Sequence, residues 1–306
     1  MSLAPEIKAF LEAGAGAPAV WEAPLSTIRA NTQGRMVTSG VAEPVAEVIN
    51  RFIPGPTADL PIRIYRPHLR ENAPAILYFH GGGFVLNFLD IYDASLSRLA
   101  NQSECVVISV QYQKAPEHPF PIPFDDCYST FMWVRENAEK LKINPELIAI
   151  AGDSAGATLA SAVAIKARDN HCEIPLQLLI YPCNGINFET DSYRDFAEGY
   201  GLTTRAMKWF WEQYLQGDSH NDNPYAVPMS APTLAGVAPA IIVAAPFDPL
   251  FSDGVLYADK LSRDGVSVTY KSFDGMNHGF VTNMGVTPMA QTAIDWIATE
   301  VRKVMA

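Results

Sequence analysis

The 306-residue sequence predicts an α/β fold built on a doubly wound, mostly parallel sheet of eight strands with helices on both faces. Three observations predict it. Short β-rich runs recur from residue 45 onward, and helix-length stretches alternate with the later runs in a βαβ rhythm. The rhythm breaks once, between Tyr181 and Pro239, where about sixty residues stand in place of a short crossover.

Two weak helical patterns come first. Ile7, Phe10 and Leu11 share one face before Gly14, and Leu25 with Ile28 precedes Gly34. Strands are then expected at Val45–Phe52, Leu60–Tyr65, Ala75–Phe79, Cys105–Tyr112, Leu147–Ala151, Leu176–Tyr181, Ala240–Ala245 and Val266–Phe273. The first two alternate polar and apolar residues, as half-exposed antiparallel strands do. The later ones are almost continuously apolar, as buried parallel strands are. Helices are expected at Tyr92–Asn101, Asp125–Lys140, Ser154–Arg168, Gly254–Asp264 and Thr287–Val304. Inside the long insertion, Met207, Phe210, Trp211, Tyr214 and Leu215 fall at i, i+3, i+4, i+7 and i+8, so one face of a helix there is apolar. That face either packs on the body or forms the inner side of a lid, and the two roles are compatible.

Composition narrows the function. Twenty-two Lys and Arg against 33 Asp and Glu give a net charge of -11, which repels a phosphate backbone and argues against nucleic acid as a partner. Cys105, Cys127, Cys172 and Cys183 are widely spaced and match neither a disulfide framework nor a metal-ligand spacing, which suits a reducing cytoplasm. The N-terminus has no basic flank followed by an apolar core. The uncharged span from Asn223 contains five prolines, so it is not expected to cross a membrane as one helix.

The chemistry is carried by Gly152-Asp153-Ser154-Ala155-Gly156, a G-x-S-x-G motif between an apolar strand and an Ala-rich helix. A strand turning that sharply into a helix needs neighbours without Cβ atoms, and the strained turn lifts the serine hydroxyl above the sheet at a helix N-terminus. A serine hydroxyl needs a base, and the base needs an orienting carboxylate. Among six histidines only His278 follows the last strand, flanked by Gly275 and Gly279, which makes it the expected base. Asp248, just past the strand Ala240–Ala245, is the expected acid; Asp253 and Asp274 are weaker candidates. Amide donors for an oxyanion are expected from Gly82 and Gly83 of the run His80-Gly81-Gly82-Gly83-Phe84, and from Ala155. A phosphate cradle is disfavoured because G-x-G-x-x-G and Gly-Lys-Ser/Thr patterns are missing. Phe84, Leu86, Phe88, Met207 and Phe210, with Trp21, are expected to line the substrate pocket.

These residues resemble the hormone-sensitive-lipase-like branch of the α/β-hydrolases, the bacterial family IV esterases. The resemblance spans nearly the whole chain. It rests on His80–Phe84, on Tyr112 with Ala115-Pro116-Glu117-His118-Pro119-Phe120-Pro121, on Gly152–Gly156, on Asp248-Pro249-Leu250 and on His278-Gly279-Phe280, all in the family's order. It implies carboxylester hydrolysis without a cofactor or metal, and a helical cap made of residues 1–40 and 185–230. The hydrolase core would then be residues 41–184 and 231–306. Relatives also dimerise through the last strand and helix, which implies a possible homodimer. The sequence departs from the family pattern at Ala157, at Gln113-Lys114 and at Phe251-Ser252-Asp253. The expected activity is hydrolysis of small to medium acyl esters through an acyl-enzyme. A lipase, an amidase or an acyltransferase would use the same three residues, and a non-catalytic binding protein on this fold would be expected to lack the base.

Overall fold

The structure is a computed structural model that describes residues 2–305. Helix α1 (Pro5–Ala13) opens the chain, followed by α2 (Leu25–Asn31), a single 3-10 turn, and α3 (Arg35–Ser39). Gly34 does not end the helical path, contrary to expectation. It lies in the 3-10 turn with αR dihedrals, and the path instead ends at Gly40, whose φ of +88 reverses the chain.

Eight strands follow: β1 (Glu47–Pro54), β2 (Asp59–Arg66), β3 (Ala73–Phe79), β4 (Val106–Val110), β5 (Ile143–Asp153), β6 (Gln177–Ile180), β7 (Ala240–Ala244) and β8 (Val268–Ser272). They form one sheet in the order β1-β2-β4-β3-β5-β6-β7-β8. β1 and β2 pair antiparallel from Glu47↔Arg66 to Pro54↔Asp59, and β2 pairs antiparallel with β4. All remaining pairs are parallel. The half-polar pattern of β1 matches its exposed edge position, whereas every residue of β3, β4, β6 and β7 is buried.

Alternation along the strands divides the core between the two faces of the sheet. Leu77, Ile108, Ile150, Leu179 and Ile242 belong to one apolar cluster, with side chains of α5 (Ile122–Glu136), α6 (Ala155–Asp169) and α9 (Phe251–Arg263). Ile76, Tyr78, Val107, Ala149 and Ile241 belong to the other, with α4 (Asp93–Ser103) and α10 (Pro288–Met305). α6 sits tightly on the sheet because its residues are small: a Cβ on Gly156 would lie 2.0 Å from the carbonyl oxygen of Phe79.

Between β6 and β7 the chain forms α7 (Asp191–Asp195) and α8 (Thr204–Leu215), the latter capped by Thr203, whose hydroxyl accepts the Ala206 amide at 3.0 Å. The five apolar residues predicted to share a face of α8 are all buried. The four cysteines are unpaired thiols, three of them buried. Among the described residues no helix is long and apolar enough to cross a membrane.

Candidate active site

Ser154 stands at the junction of β5 and α6, with φ 54 and ψ −125. This is a left-handed φ that a non-glycine residue holds only where its surroundings over-determine it, at a cost of about 1–3 kcal/mol. The surroundings here do so. The Ser154 amide donates to Ile180 at 2.8 Å, and a Cβ at Gly152 would fall 2.3 Å from backbone atoms of Gly156. The turn can be made only with glycine on each side.

Three distant side chains converge at this point. The ring of His278, on the loop after β8, places Nε2 3.0 Å from Ser154 Oγ and Nδ1 2.6 Å from Asp248 Oδ2. A carboxylate accepts only, so Nδ1 carries the ring proton and Nε2 is left to accept from the serine hydroxyl. Asp248 is fully buried, and its other oxygen accepts the Leu250 amide at 2.9 Å. The loops bearing Asp248 and His278 are joined where the Phe247 amide donates to Met276 at 3.1 Å. The weaker acid candidates lie elsewhere. Asp253 is buried in the first turn of α9 with the Tyr193 hydroxyl at 3.3 Å, and burial raises its pKa well above the usual carboxylate range. Asp274 is exposed.

The glycine loop after β3 lies beside the serine. Gly82 and Gly83 have φ of +112 and +62, and their amides, with that of Ala155, find no acceptor among the described residues. The Gly81 amide, by contrast, is taken up by Asp153 Oδ1 at 2.9 Å and by the Tyr92 hydroxyl at 3.0 Å. Asp153 was not singled out by the sequence, although a carboxylate at the end of an apolar strand was a signal that it has a task. It also accepts the Tyr78 hydroxyl at 2.9 Å, and burial raises its pKa against the opposing pull of these donors. Asn87 completes the support by donating to the Gly81 carbonyl at 3.2 Å and to Tyr92 at 3.1 Å. From α3, Arg35 donates to Asn87 Oδ1 at 3.2 Å and to the Thr282 hydroxyl at 3.3 Å.

The Gln113-Lys114 departure from the family pattern is accommodated locally. Lys114 donates to the Asn87 carbonyl at 2.6 Å, behind the glycine loop, and burial lowers its pKa to about 8. Gln113 hydrogen-bonds Asp126 and Thr57. Arg29 of α2 reaches the carbonyls of Val85 and Ala115, both at 2.9 Å, and pairs with both oxygens of Glu117.

A cavity of about 320 Å³ opens over Ser154 and His278, and Leu86, Met207 and Phe210 are in its wall. Phe84 and Phe88 are corrections. The φ of +63 at Phe84 turns its side chain away from the cavity and into the body, where the ring stacks on Tyr214 at 3.9 Å and is fully buried. Phe88 packs against the apolar cluster on the opposite sheet face. Trp21 does not line the cavity either: its ring lies under Arg205 at 4.3 Å. Val20, Leu202, Ala206 and the α1 residues Phe10 and Leu11 form the apolar wall instead. On α8, Met207 and Phe210 line the cavity while Tyr214 stacks on Phe84.

Residues 76–282 match a family model described as alpha/beta hydrolase fold. The chain belongs to this family, in its hormone-sensitive-lipase-like branch. It is 37% identical to the carboxylic ester hydrolase LipN of Mycobacterium tuberculosis, over 77% of this chain and 64% of that protein. It is 32% identical to the arylesterase of Saccharolobus solfataricus, over 92% and 93%. Among solved structures, the ester-hydrolase EH1AB1 from the metagenome of Lake Arreo, complexed with a bipyridine phosphonate derivative, superposes with a TM-score of 0.94 at 34% identity, covering 98% of each chain.

Proposed function

We propose that this α/β-hydrolase is a serine carboxylesterase acting on small to medium acyl esters. In this reading His278, oriented by Asp248, takes the Ser154 proton as Oγ attacks the ester carbonyl. The amides of Gly82, Gly83 and Ala155 stabilise the oxyanion, and the α6 N-terminus adds its partial positive charge. His278 then returns the proton to the departing alkoxide. In the second half it takes a proton from water, which attacks the acyl-enzyme carbonyl and frees the acid and Ser154.

The observation that carries the reading is the unbroken chain of contacts from Asp248 through His278 to Ser154, at 2.6 and 3.0 Å, beside three amides with no protein acceptor. The ester-hydrolase names of the relatives support the bond type, and the 320 Å³ cavity supports the size class. Residues 1–40 and 185–230 act as a cap on this reading, since both contribute wall residues.

Ser154→Ala is expected to remove nearly all hydrolysis of p-nitrophenyl butyrate and all labelling by a fluorophosphonate probe, with an unchanged melting temperature. Retention of more than a few per cent of wild-type turnover overturns the assignment. A butyrate ester is expected to outrun a palmitate ester, because the cavity is too small for the longer chain; the reverse order makes the protein a lipase.

A further inference from the structure

Apart from the catalytic residues and Asp153, the wall of the active-site cavity carries one charged side chain, Arg35. It is half-buried, and it is fixed by neutral partners alone: one terminal nitrogen donates to Asn87 Oδ1 and the other to the Thr282 hydroxyl. A guanidinium has five N–H donors. Two are used here, and no carboxylate lies within ion-pair distance among the described residues. The carboxyl of Asp153 is held by Tyr78, Gly81 and Tyr92 outside ion-pair distance, so it attracts Arg35 through space without taking any of its N–H donors. Arg35 also stands beside the reacting groups: a Cβ built at Gly279, the neighbour of His278, would lie 3.8 Å from its terminal nitrogen. The rest of the wall is apolar or carries neutral amides and hydroxyls.

A cation held in a fixed fork inside a mostly apolar cavity, with spare donors, is a recognition group for a planar anion. We propose that Arg35 binds a carboxylate borne by the substrate, so that the preferred esters of this enzyme are esters of which one end is an ionised acid. The proposal rests on the carboxylesterase reading and names its substrate class. It also runs against the bulk field of a chain with a net charge of -11, so a preference for anionic esters would have to originate locally.

The test uses two substrate pairs matched in length. Monoethyl glutarate and ethyl glutaramate differ in charge on the acyl side, and acetoxyacetate and acetoxyacetamide differ on the alcohol side. The wild-type enzyme is expected to favour the acid member of at least one pair by roughly 10-fold to 100-fold in kcat/KM, mainly through KM, and the favoured pair identifies the side that faces Arg35. Arg35→Gln is expected to bring that ratio close to one, and Arg35→Lys to keep part of it. Free glutarate is expected to inhibit p-nitrophenyl butyrate hydrolysis by the wild-type enzyme competitively, and glutaramide much less, which needs no variant to fold.

A role confined to bracing Asn87 would lower turnover of acid and amide alike in Arg35→Gln and leave their ratio unchanged. That result, or a wild-type enzyme that is indifferent to the charge and equally inhibited by glutarate and glutaramide, overturns the proposal. A wild-type protein that is neither labelled at Ser154 by a fluorophosphonate nor active on any ester would instead overturn the carboxylesterase reading beneath it.

Discussion

Asp153 accepts the backbone amide of Gly81 at 2.9 Å, so the residue beside the serine holds the loop whose Gly82 and Gly83 amides are proposed to meet the oxyanion. A Cβ on Gly81 would lie 2.5 Å from the same carboxylate, which explains why this member of the glycine run spends its amide and its missing side chain on Asp153. The Gly82 and Gly83 amides keep no acceptor among the described residues. Asp153→Asn retains one acceptor oxygen, and is expected to lower kcat on a short ester by about 10-fold to 100-fold with a smaller change in KM. Asp153→Ala leaves the Tyr78 hydroxyl and Gly81 amide without it, and is expected to cost a further 1–3 kcal/mol of stability, roughly, in denaturant unfolding. Unchanged kcat in Asp153→Asn would show that the loop is held by other means.

Gly83 and Phe210 form a second close approach, in which a Cβ on Gly83 would fall 2.3 Å from the ring. Gly83→Ala therefore pushes α8 and the glycine loop apart, besides straining a φ of +62. kcat/KM is expected to fall about 10-fold to 100-fold by loss of oxyanion geometry. Truncating the ring in the double variant Gly83→Ala, Phe210→Ala removes the collision and is expected to recover part of the loss. Strictly additive losses in a double-mutant cycle would mean that the two residues are not in contact in the working enzyme.

How much of this was legible in the sequence depends on the range of the interaction. The buried strands were readable because β3, β4, β7, the second half of β5 and Leu178–Ile180 of β6 are almost wholly apolar, and β1 because its alternation matches an edge; β8, expected to be covered like them, is instead the second edge and is half-exposed. Ser154, His278 and Asp248 were readable because each sits at the end of a strand in a fixed chain order. Phe84 was misjudged because adjacency in sequence does not fix direction: its own positive φ sends the ring to Tyr214 while Leu86 turns inward. Arg35 lay hidden because Gly34 reads as a helix end, yet the helical path runs through it and delivers the guanidinium 247 residues away in sequence to Thr282. Asn87 was likewise invisible: besides its near neighbours Gly81 and Tyr92 it meets Lys114 and Arg35, 27 and 52 residues away, which only the folded chain brings together.

The α1 side of the cavity is expected to set chain-length preference. Phe10, Leu11 and Gly201 belong both to the active-site wall and to a neighbouring cavity of about 790 Å³. Leu11 fills the partition, since a Cβ on Gly201 would lie 3.2 Å from its Cδ2. Leu11→Ala is expected to join the two spaces and to raise the octanoate-to-butyrate rate ratio. Each additional buried methylene contributes about 0.8 kcal/mol, or roughly fourfold. Assays on p-nitrophenyl esters of four to twelve carbons check this; an unchanged ratio would place the acyl chain on another wall.

His80 gives the fold an acid-sensitive point beneath the site. Its Nδ1 faces the Gly81 carbonyl at 2.8 Å, its Nε2 faces Gln111 at 3.2 Å, and the ring stacks on Tyr112 at 4.4 Å. Burial, reinforced by the positive charge of Lys114, pushes its pKa from 6.5 down to about 3, so the folded protein holds this imidazole neutral. The sign follows from linkage. The unfolded chain binds a proton near pH 6.5 that the folded state refuses until about pH 3, so the stability contributed by the neutral ring is complete above 6.5 and is lost as the pH falls towards 3. The slope is about 1.4 kcal/mol per pH unit for one proton. His80→Asn removes this proton linkage while retaining a donor for Gly81. It is expected to be less stable than the wild type at pH 7, yet to lose less melting temperature between pH 6 and pH 4. Parallel melting curves for the two proteins across that window would show that acid sensitivity arises elsewhere.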